Sequence, residues 1–187
     1  MEGLHRQEAV LERFNVNGAA VELVAWEETL WCGKIRFAGD NTAEPDVEQL
    51  MKDFVALADT EASPMDPEPG WDVCMSFNYL TDKRPSGVFF GFLVGDHKQP
   101  EGFDMRWLPE GRYLRLEINE AAAQALNSEP WTGGVPPFQW VSESIGPRLG
   151  FVCGDSELPV VEYYRHREDG SVDGCWLYVP VLWKRKE

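Results

Sequence analysis

Cysteine and histidine, the usual ligands of protein metal sites, are scarce and scattered in this 187-residue sequence. The cysteines and histidines are Cys32, Cys74, Cys153, Cys175, His5, His97 and His166. Metal sites need ligands at short spacings on at least one side, and no Cys-x-x-Cys pair occurs, so we expect no metal. The thiols are predicted to be reduced and to pack as small apolar side chains.

Positive charge and long apolar runs are also lacking. The chain carries 17 basic and 32 acidic residues, a formal charge of −15, whereas a phosphate-binding face needs a basic surplus. No stretch approaches the ~18 apolar residues of a membrane span, and residues 1–13 are too charged for a signal peptide. We therefore expect no direct nucleic-acid contact, no membrane association and a cytoplasmic location.

Common catalytic motifs are missing as well: there is no nucleophile elbow, no phosphate-binding loop and no metal-binding pair of histidines. No cofactor is expected on these grounds. Hydrophobic residues make up 43% of the chain, enough for a substantial core, and the length suits one domain or two small fused halves.

The sequence does contain one order of secondary-structure elements that occurs twice. In the first half, alternating or apolar runs predict strands at 21–26, 71–79 and 88–94, and an apolar stripe at spacings of three and four predicts a helix over 42–59. A polar segment bearing Pro and Gly, residues 95–110, is interpreted as the connector.

The second half repeats the pattern. A strand at 111–118 precedes a helical region around residues 138–145, and a hairpin of strands at 159–164 and 175–181 follows. We therefore predict an α+β fold. Two strand-helix-strand-strand halves are expected to form one pseudo-twofold sheet, with helices on one side and a central concave groove.

Domain limits follow from this pattern. Residues 1–20 are interpreted as an N-terminal extension and residues 21–183 as one domain, with halves at about 21–95 and about 107–183.

Glu162 is the candidate site residue. It lies in the run Pro159-Val160-Val161-Glu162-Tyr163-Tyr164, which is typical of a strand. A carboxylate buried in such a run must be paired, protonated or used. One interpretation is a core ion pair with Arg112, Arg115 or Arg165. The other is the floor of a ligand pocket, walled by the aromatic residues that are dense in the second half.

Three sets of residues carry a family resemblance. They are the hairpin pattern Pro159-x-x-Glu162-x-Tyr164 with a later Tyr-Val-Pro-Val, the segment Trp107-Leu108-Pro109-Glu110-Gly111-Arg112-Tyr113, and the opening Val21-Glu22-Leu23-Val24 with Gly33-Lys34-Ile35-Arg36. In this order and spacing they resemble the GyrI-like family, the effector-binding domain of AraC-type and multidrug-sensing transcription regulators. The resemblance extends over residues 21–182.

The resemblance implies a ligand site with Glu162 as counter-ion and with Tyr164 and Tyr113 as nearby walls. Trp140, from its position on the second helix, is placed facing the groove. Such a site recognises a hydrophobic cation through ion pairing and cation–π contacts. The candidate ligand-binding residues are Glu162, Tyr164, Tyr113, Trp140, Trp176 and Phe77.

Three functions are compatible with the sequence. The leading hypothesis is a stand-alone binding module for hydrophobic, cationic small molecules, working with a separate DNA-binding regulator if it acts in transcription. The second, ranked behind it, is a hydrolase of strained electrophilic natural products, with Glu162 as general acid or base and Tyr113 or Tyr164 assisting. The third is a protein-interaction module that resembles the family's gyrase inhibitor, with gyrase as partner.

Overall fold

The computed structural model describes residues 3–39, 44–58, 64, 67–79, 85–129, 134–154 and 157–184. Within these ranges ten strands form one sheet: β1 (Glu8–Val16), β2 (Ala19–Trp26), β3 (Thr29–Phe37), β4 (Trp71–Phe77), β5 (Gly87–Val94), β6 (Asp104–Leu108), β7 (Gly111–Glu117), β8 (Phe151–Cys153), β9 (Val160–His166) and β10 (Val172–Lys184). The helices there are α1 (Val47–Ala58), α2 (Glu120–Asn127), α3 (Pro137–Trp140), a π-helical turn (Val141–Ile145) and α4 (Gly146–Arg148).

The strand order shows the duplication that the sequence predicts. It runs β1-β2-β7-β10-β9-β4-β5-β3-β6, with β8 pairing β10, and the pairings between these strands are antiparallel. Strands β7, β10 and β9 of one half appear in the reverse order to β4, β5 and β3 of the other, so an approximate twofold axis passes between β9 and β4. The first half has the order β3-α1-β4-β5, and the second has β7, a helical region, β9 and β10, with the short strand β8 added before β9. The predicted α+β fold is confirmed.

Some strands were missed or misplaced. β1 lies in the segment interpreted as an extension, and β6 lies in the segment interpreted as a connector. Both are at the ends of the strand order, where a strand packs against one neighbour and carries more polar residues. The first strand of the first half is β3, not the predicted strand at 21–26, which is β2. The domain limits stay predictions, although β1 pairs with β2 in the same sheet.

Two short connections curl the sheet. Glu27-Glu28 joins β2 to β3, and Pro109-Glu110 joins β6 to β7, although each pair of strands stands far apart in the strand order. The ring centroids of Trp26 and Trp31 consequently lie only 5.7 Å apart. The concave face encloses an aromatic cluster, here called the inner core, whose fully buried members include Trp31, Phe89, Tyr113, Tyr163 and Tyr178.

The opposite face of the sheet, here called the helix face, carries two groups of helices. α1 packs on β3 and β5, where the Phe54 and Phe92 ring centroids lie 5.7 Å apart. α2 packs on β2 and α3 packs on β10, above a second buried cluster that includes Leu114, Trp140 and Leu177. The central strands β9 and β4 lie between the two groups. This arrangement leaves a depression at the middle of the helix face.

Candidate functional site

A groove of about 350 Å³ occupies this depression. The central groove, as it is called below, is lined by Met51, Phe54, Asp72, Val73, Phe90, Gly91, Tyr164, His166 and Val172. Helix α1 supplies the first two residues, and strands β4, β5, β9 and β10 supply the others. Met51 and Val172 are exposed despite being apolar. A concave, mainly apolar surface with a few polar groups is what a small-molecule site requires.

Glu162 lies beside the central groove because side chains alternate along strand β9. Val161 and Tyr163 are buried in the inner core, so Glu162 and Tyr164 project from the helix face. Glu162 is exposed, and the Tyr164 hydroxyl donates a 2.7 Å hydrogen bond to its Oε2. Burial and then this hydrogen bond raise the pKa of Tyr164 well above its ordinary value, so the phenol remains a proton donor. The site therefore pairs a carboxylate with an aromatic ring.

The interpretation of Glu162 as part of a core ion pair is wrong for the three arginines considered. Arg115 contacts Glu8 and Glu22 on the concave side of the sheet. Arg165 pairs with Asp173, and Arg112 is exposed on β7. Within the described ranges, no basic side chain lies within ion-pair distance of Glu162.

His166 and Asp72 form the polar end of the central groove. Nε2 of His166 lies 2.9 Å from Oδ2 of Asp72, and its Nδ1 lies 3.2 Å from the carbonyl oxygen of Gly170. The interaction with Asp72 raises the pKa of His166, although burial opposes the shift. Asp72 is aligned opposite Tyr164, and His166 follows two residues further along the same strand face.

Two thiols flank Glu162. Cys74 is aligned with Glu162 across strands β4 and β9, and Cys175 is aligned with Tyr164 across β9 and β10. Burial, and then the nearby Glu162 carboxylate, raise the pKa of each thiol to about 12. Both thiols are therefore protonated at neutral pH and are poor nucleophiles. The carboxylate is the chemically distinctive group of this surface.

Four of the six predicted ligand-binding residues lie away from the central groove. Tyr113, Phe77 and Trp176 are buried in the inner core, on the other face of the sheet. Trp140 is buried between the helices and the sheet, where its Nε1 donates a 3.4 Å hydrogen bond to Glu129. The structure thus brings together Glu162 and Tyr164 alone, and a binding role for the other four stays a prediction.

Strand register accounts for this division. Glu162 is aligned with Leu177, so the adjacent Trp176 faces the opposite side of the sheet. The sequence predicts the hairpin but not which residues of its two strands are opposite each other. A shift of one residue in that register would move Trp176 to the helix face.

Other groove residues were missed by sequence reasoning although some carried a signal. Strict alternation in the strand at 71–79 places Asp72 opposite to its buried neighbours. His166 follows Tyr164 by two residues and so shares its face. Met51 and Phe54 belong to the predicted apolar stripe of helix α1, and nothing in the sequence distinguishes a residue lining an open groove from one in a closed core.

Solved structures show the same fold. The chain is similar to SAV2435 bound to tetraphenylphosphonium, with a TM-score of 0.54 and 12% identity over 86% of this chain and 93% of that chain. A transcription regulation protein from Staphylococcus aureus MU50 matches with a TM-score of 0.50 and 11% identity, over 88% of this chain and 99% of that chain. The EcmrR C-terminal domain matches with a TM-score of 0.50 and 10% identity, over 86% of this chain and 96% of that chain.

These structures are GyrI-like effector-binding domains, so the chain has the fold that its sequence resemblance implies. No protein-family model and no curated protein matches the chain significantly.

Among the residues described, no helix is long and apolar enough to cross a membrane. In the same part of the chain, no group of three His, Cys, Asp or Glu side chains is placed to hold a metal ion.

Proposed function

We propose that this protein binds a hydrophobic, cationic small molecule in the central groove, with Glu162 as its counter-ion. The observation that carries the proposal is an exposed carboxylate at the centre of the sheet, without a basic partner among the described residues and next to an apolar groove. A ligand cation supplies the missing positive charge. Its apolar groups cover Met51, Phe54 and Phe90.

The aromatic ring of Tyr164 supports the same class of ligand. It lies in the groove lining, and its hydroxyl is held by Glu162, so the ring is fixed beside the carboxylate. A cation near an aromatic face gains about 0.5–2 kcal/mol, depending on how dry the contact is. The formal charge of −15 adds a long-range attraction for cations that weakens with salt.

A structural relative gives independent support for small-molecule binding. SAV2435, which shares the fold, is bound to tetraphenylphosphonium, a bulky aromatic cation. That compound is therefore a suitable first probe here. The natural ligand of this chain is a separate question, which the probe does not answer.

The test is the affinity of tetraphenylphosphonium for the parent protein and for Glu162→Gln, measured by isothermal titration calorimetry. Glutamine keeps the shape and removes the charge. Because Glu162 is exposed and partly screened, we expect a loss of about 1 kcal/mol, or about fivefold in affinity. Triphenylphosphine oxide, a neutral compound with similar aromatic groups, should bind the parent and the variant equally.

The matched control is Glu101→Gln, which removes an equal charge from an exposed turn outside the groove. It changes the long-range field but not the site. Equal losses in the two variants would show that Glu162 acts only through net charge. Loss of affinity for the neutral compound in Glu162→Gln alone would mean that the residue shapes the groove instead of supplying charge.

One observation supports the hydrolase hypothesis. An exposed carboxylate with a phenol donor 2.7 Å away could activate water while the phenol protonates a leaving oxygen. Incubation with a strained electrophile such as styrene oxide, followed by mass analysis of the diol, tests for turnover. Product formation that Glu162→Gln abolishes would favour the enzyme over the binding module.

A further inference from the structure

A second cavity lies away from the central groove and shares none of its lining residues. It has a volume of about 280 Å³ and is lined by Phe37, Phe77, Asn78, Arg106, Trp107, Leu108, Pro109 and Glu157. Its residues come mainly from the ends of β3, β4 and β6 and from the chain before β9. We call it the edge cavity because β6 is the last strand of the sheet order.

Arg106 is the positive group of the edge cavity. Its guanidinium carbon lies 5.0 Å from the Phe77 ring centroid and 5.9 Å from that of Phe37. Its Nε is buried and has no hydrogen-bond partner among the described residues. In this acidic chain Arg36, Arg148 and Arg165 each contact a carboxylate. In the part of the chain that the structure describes, Arg106 contacts none.

Glu157 is the negative group in the same lining. It is exposed, and among the described residues it forms no ion pair with Arg106 or with another base. Two opposite charges therefore line one cavity without neutralising each other. A ligand with a single charge would satisfy one of these groups and be repelled by the other.

We propose that the edge cavity binds a small zwitterion of the α-amino acid type. Its carboxylate accepts hydrogen bonds from the Arg106 guanidinium, whose planar fork matches a carboxylate. Its ammonium group pairs with Glu157. The ring of Phe37, which is 41% exposed, supplies an apolar surface for the ligand side chain. The volume is near the lower limit of small-molecule sites, which suits a ligand of amino-acid size.

Three probes separate the two charges. L-phenylalanine carries both, L-phenylalaninamide lacks the carboxylate, and N-acetyl-L-phenylalanine lacks the ammonium group. Binding to the parent protein is measured by isothermal titration calorimetry at one pH and ionic strength. We expect L-phenylalanine to bind and each derivative to bind about tenfold more weakly, the scale of one charged hydrogen bond.

Two variants identify the protein partners. Arg106→Gln should remove the preference for L-phenylalanine over its amide and keep the preference over the N-acetyl compound. Glu157→Gln should do the reverse. The matched control is Arg112→Gln, an exposed arginine outside the cavity, which should leave both preferences unchanged. Melting temperatures establish that each variant is folded.

Several results would overturn the assignment. They are no saturable binding of L-phenylalanine at millimolar concentrations, equal binding of all three probes, or preferences that neither cavity variant alters. The outcome is independent of the central groove, because Glu162→Gln should change tetraphenylphosphonium affinity and leave L-phenylalanine affinity as in the parent.

Discussion

The Tyr164 hydroxyl donates a hydrogen bond to Oε2 of Glu162 at 2.7 Å, so an aromatic ring and a carboxylate are held side by side on one strand face. The two residues lie on β9 at a spacing of two, which places both on the helix face. Because this hydrogen bond occupies Oε2, the second carboxylate oxygen of Glu162 is available to a ligand cation. The chemistry of the central groove follows from this pair.

The first prediction separates the ring of Tyr164 from its hydroxyl. Tyr164→Ala removes the aromatic wall and should weaken tetraphenylphosphonium binding by about 0.5–2 kcal/mol. Tyr164→Phe keeps the ring and should change the affinity by less than about 0.5 kcal/mol, because the hydrogen bond to the Glu162 carboxylate is exposed and water can replace the lost hydroxyl. Calorimetric titration of both variants gives the comparison.

Tyr79→Ala is the control for loss of a tyrosine ring. Tyr79 is 38% exposed, contacts Phe138 and does not line the central groove. Tyr79→Ala should leave the affinity for tetraphenylphosphonium unchanged. If Phe at position 164 were as damaging as Ala, the hydroxyl and not the ring would be the binding element.

The second prediction uses the thiols as reporters of groove occupancy. Cys74 and Cys175 flank Glu162, whereas Cys153 lies on β8, outside the groove. The pKa of each of the three thiols is raised to about 12, chiefly by burial, so their thiolate fractions are similar. Iodoacetamide at about pH 9 should alkylate all three slowly, since the thiolate is the nucleophile.

Saturating tetraphenylphosphonium should then slow Cys74 and Cys175 further and leave Cys153 unaffected. Peptide mass spectrometry at timed intervals measures the three rates. Equal slowing of the three thiols would point to general stabilisation of the fold, not to a ligand in the central groove.

The duplicated fold is predictable from the sequence because each half has strong periodicity. The apolar stripe of α1 and the alternation of β4 are local signals that hold whatever the rest of the chain does. Strands β1 and β6 were missed because edge strands bury less, and their polar residues hide the alternation. The curl of the sheet depends on connections such as Glu27-Glu28, whose effect appears only when the strand order is known.

The candidate site was predicted less completely for a related reason. Glu162 and Tyr164 share a strand, so their spacing alone places them together. Tyr113 and Trp176 come from other strands, and their placement depends on register, which fixes the face of every side chain. His166 lies two residues after Tyr164 on the same strand. The alternation of side chains therefore predicts that it shares the face of Glu162 and Tyr164.

The third prediction concerns pH and His5. Its ring lies among those of Trp26, Trp31 and Tyr163, with centroids 4.7, 6.5 and 5.7 Å away. Burial, assisted by the charges of Arg115 and Arg6, lowers the pKa of His5 to about 3. The Glu8 carboxylate, 3.6 Å away, opposes that shift. His5 is therefore neutral in the folded state at neutral pH.

The sign follows from proton uptake. Between the ordinary pKa of 6.5 and the folded value of about 3, the unfolded chain binds a proton that the folded chain does not. Stability from neutral His5 is thus present above pH 6.5 and decreases as the pH falls. Lowering the pH from 6.5 to 5 should therefore reduce the unfolding free energy by about 1.5 kcal/mol through His5 alone.

Urea unfolding at several pH values measures this dependence. His5→Gln should flatten the curve over that range, because glutamine does not titrate. His97→Gln is the matched control, since the His97 side chain is 72% exposed, and it should keep the parent slope. Identical slopes in the parent and in His5→Gln would assign the pH dependence to other groups.

The last prediction concerns Arg115, which balances buried negative charge on the concave side of the sheet. Its guanidinium contacts Glu8 and Glu22, and the Glu8 side chain is fully buried. Trp26 Nε1 donates a further hydrogen bond of 3.0 Å to Glu8 Oε2, and the Leu4 amide donates one of 2.7 Å to Oε1. Arg115→Met removes the guanidinium that balances the negative charge of the buried Glu8 carboxylate. Such a change typically costs about 3–5 kcal/mol of stability.

Adding Glu8→Gln to Arg115→Met should recover part of that loss, because a neutral amide is far cheaper to bury than an unpaired carboxylate. Arg167→Met is the control: its partner Asp173 is on the surface, and loss of a surface pair should change stability little. Urea unfolding gives all three values. Arg115 does not contact Glu162, so folded Arg115→Met should bind tetraphenylphosphonium as the parent does. Reduced binding by that variant would reveal coupling between the concave side of the sheet and the central groove.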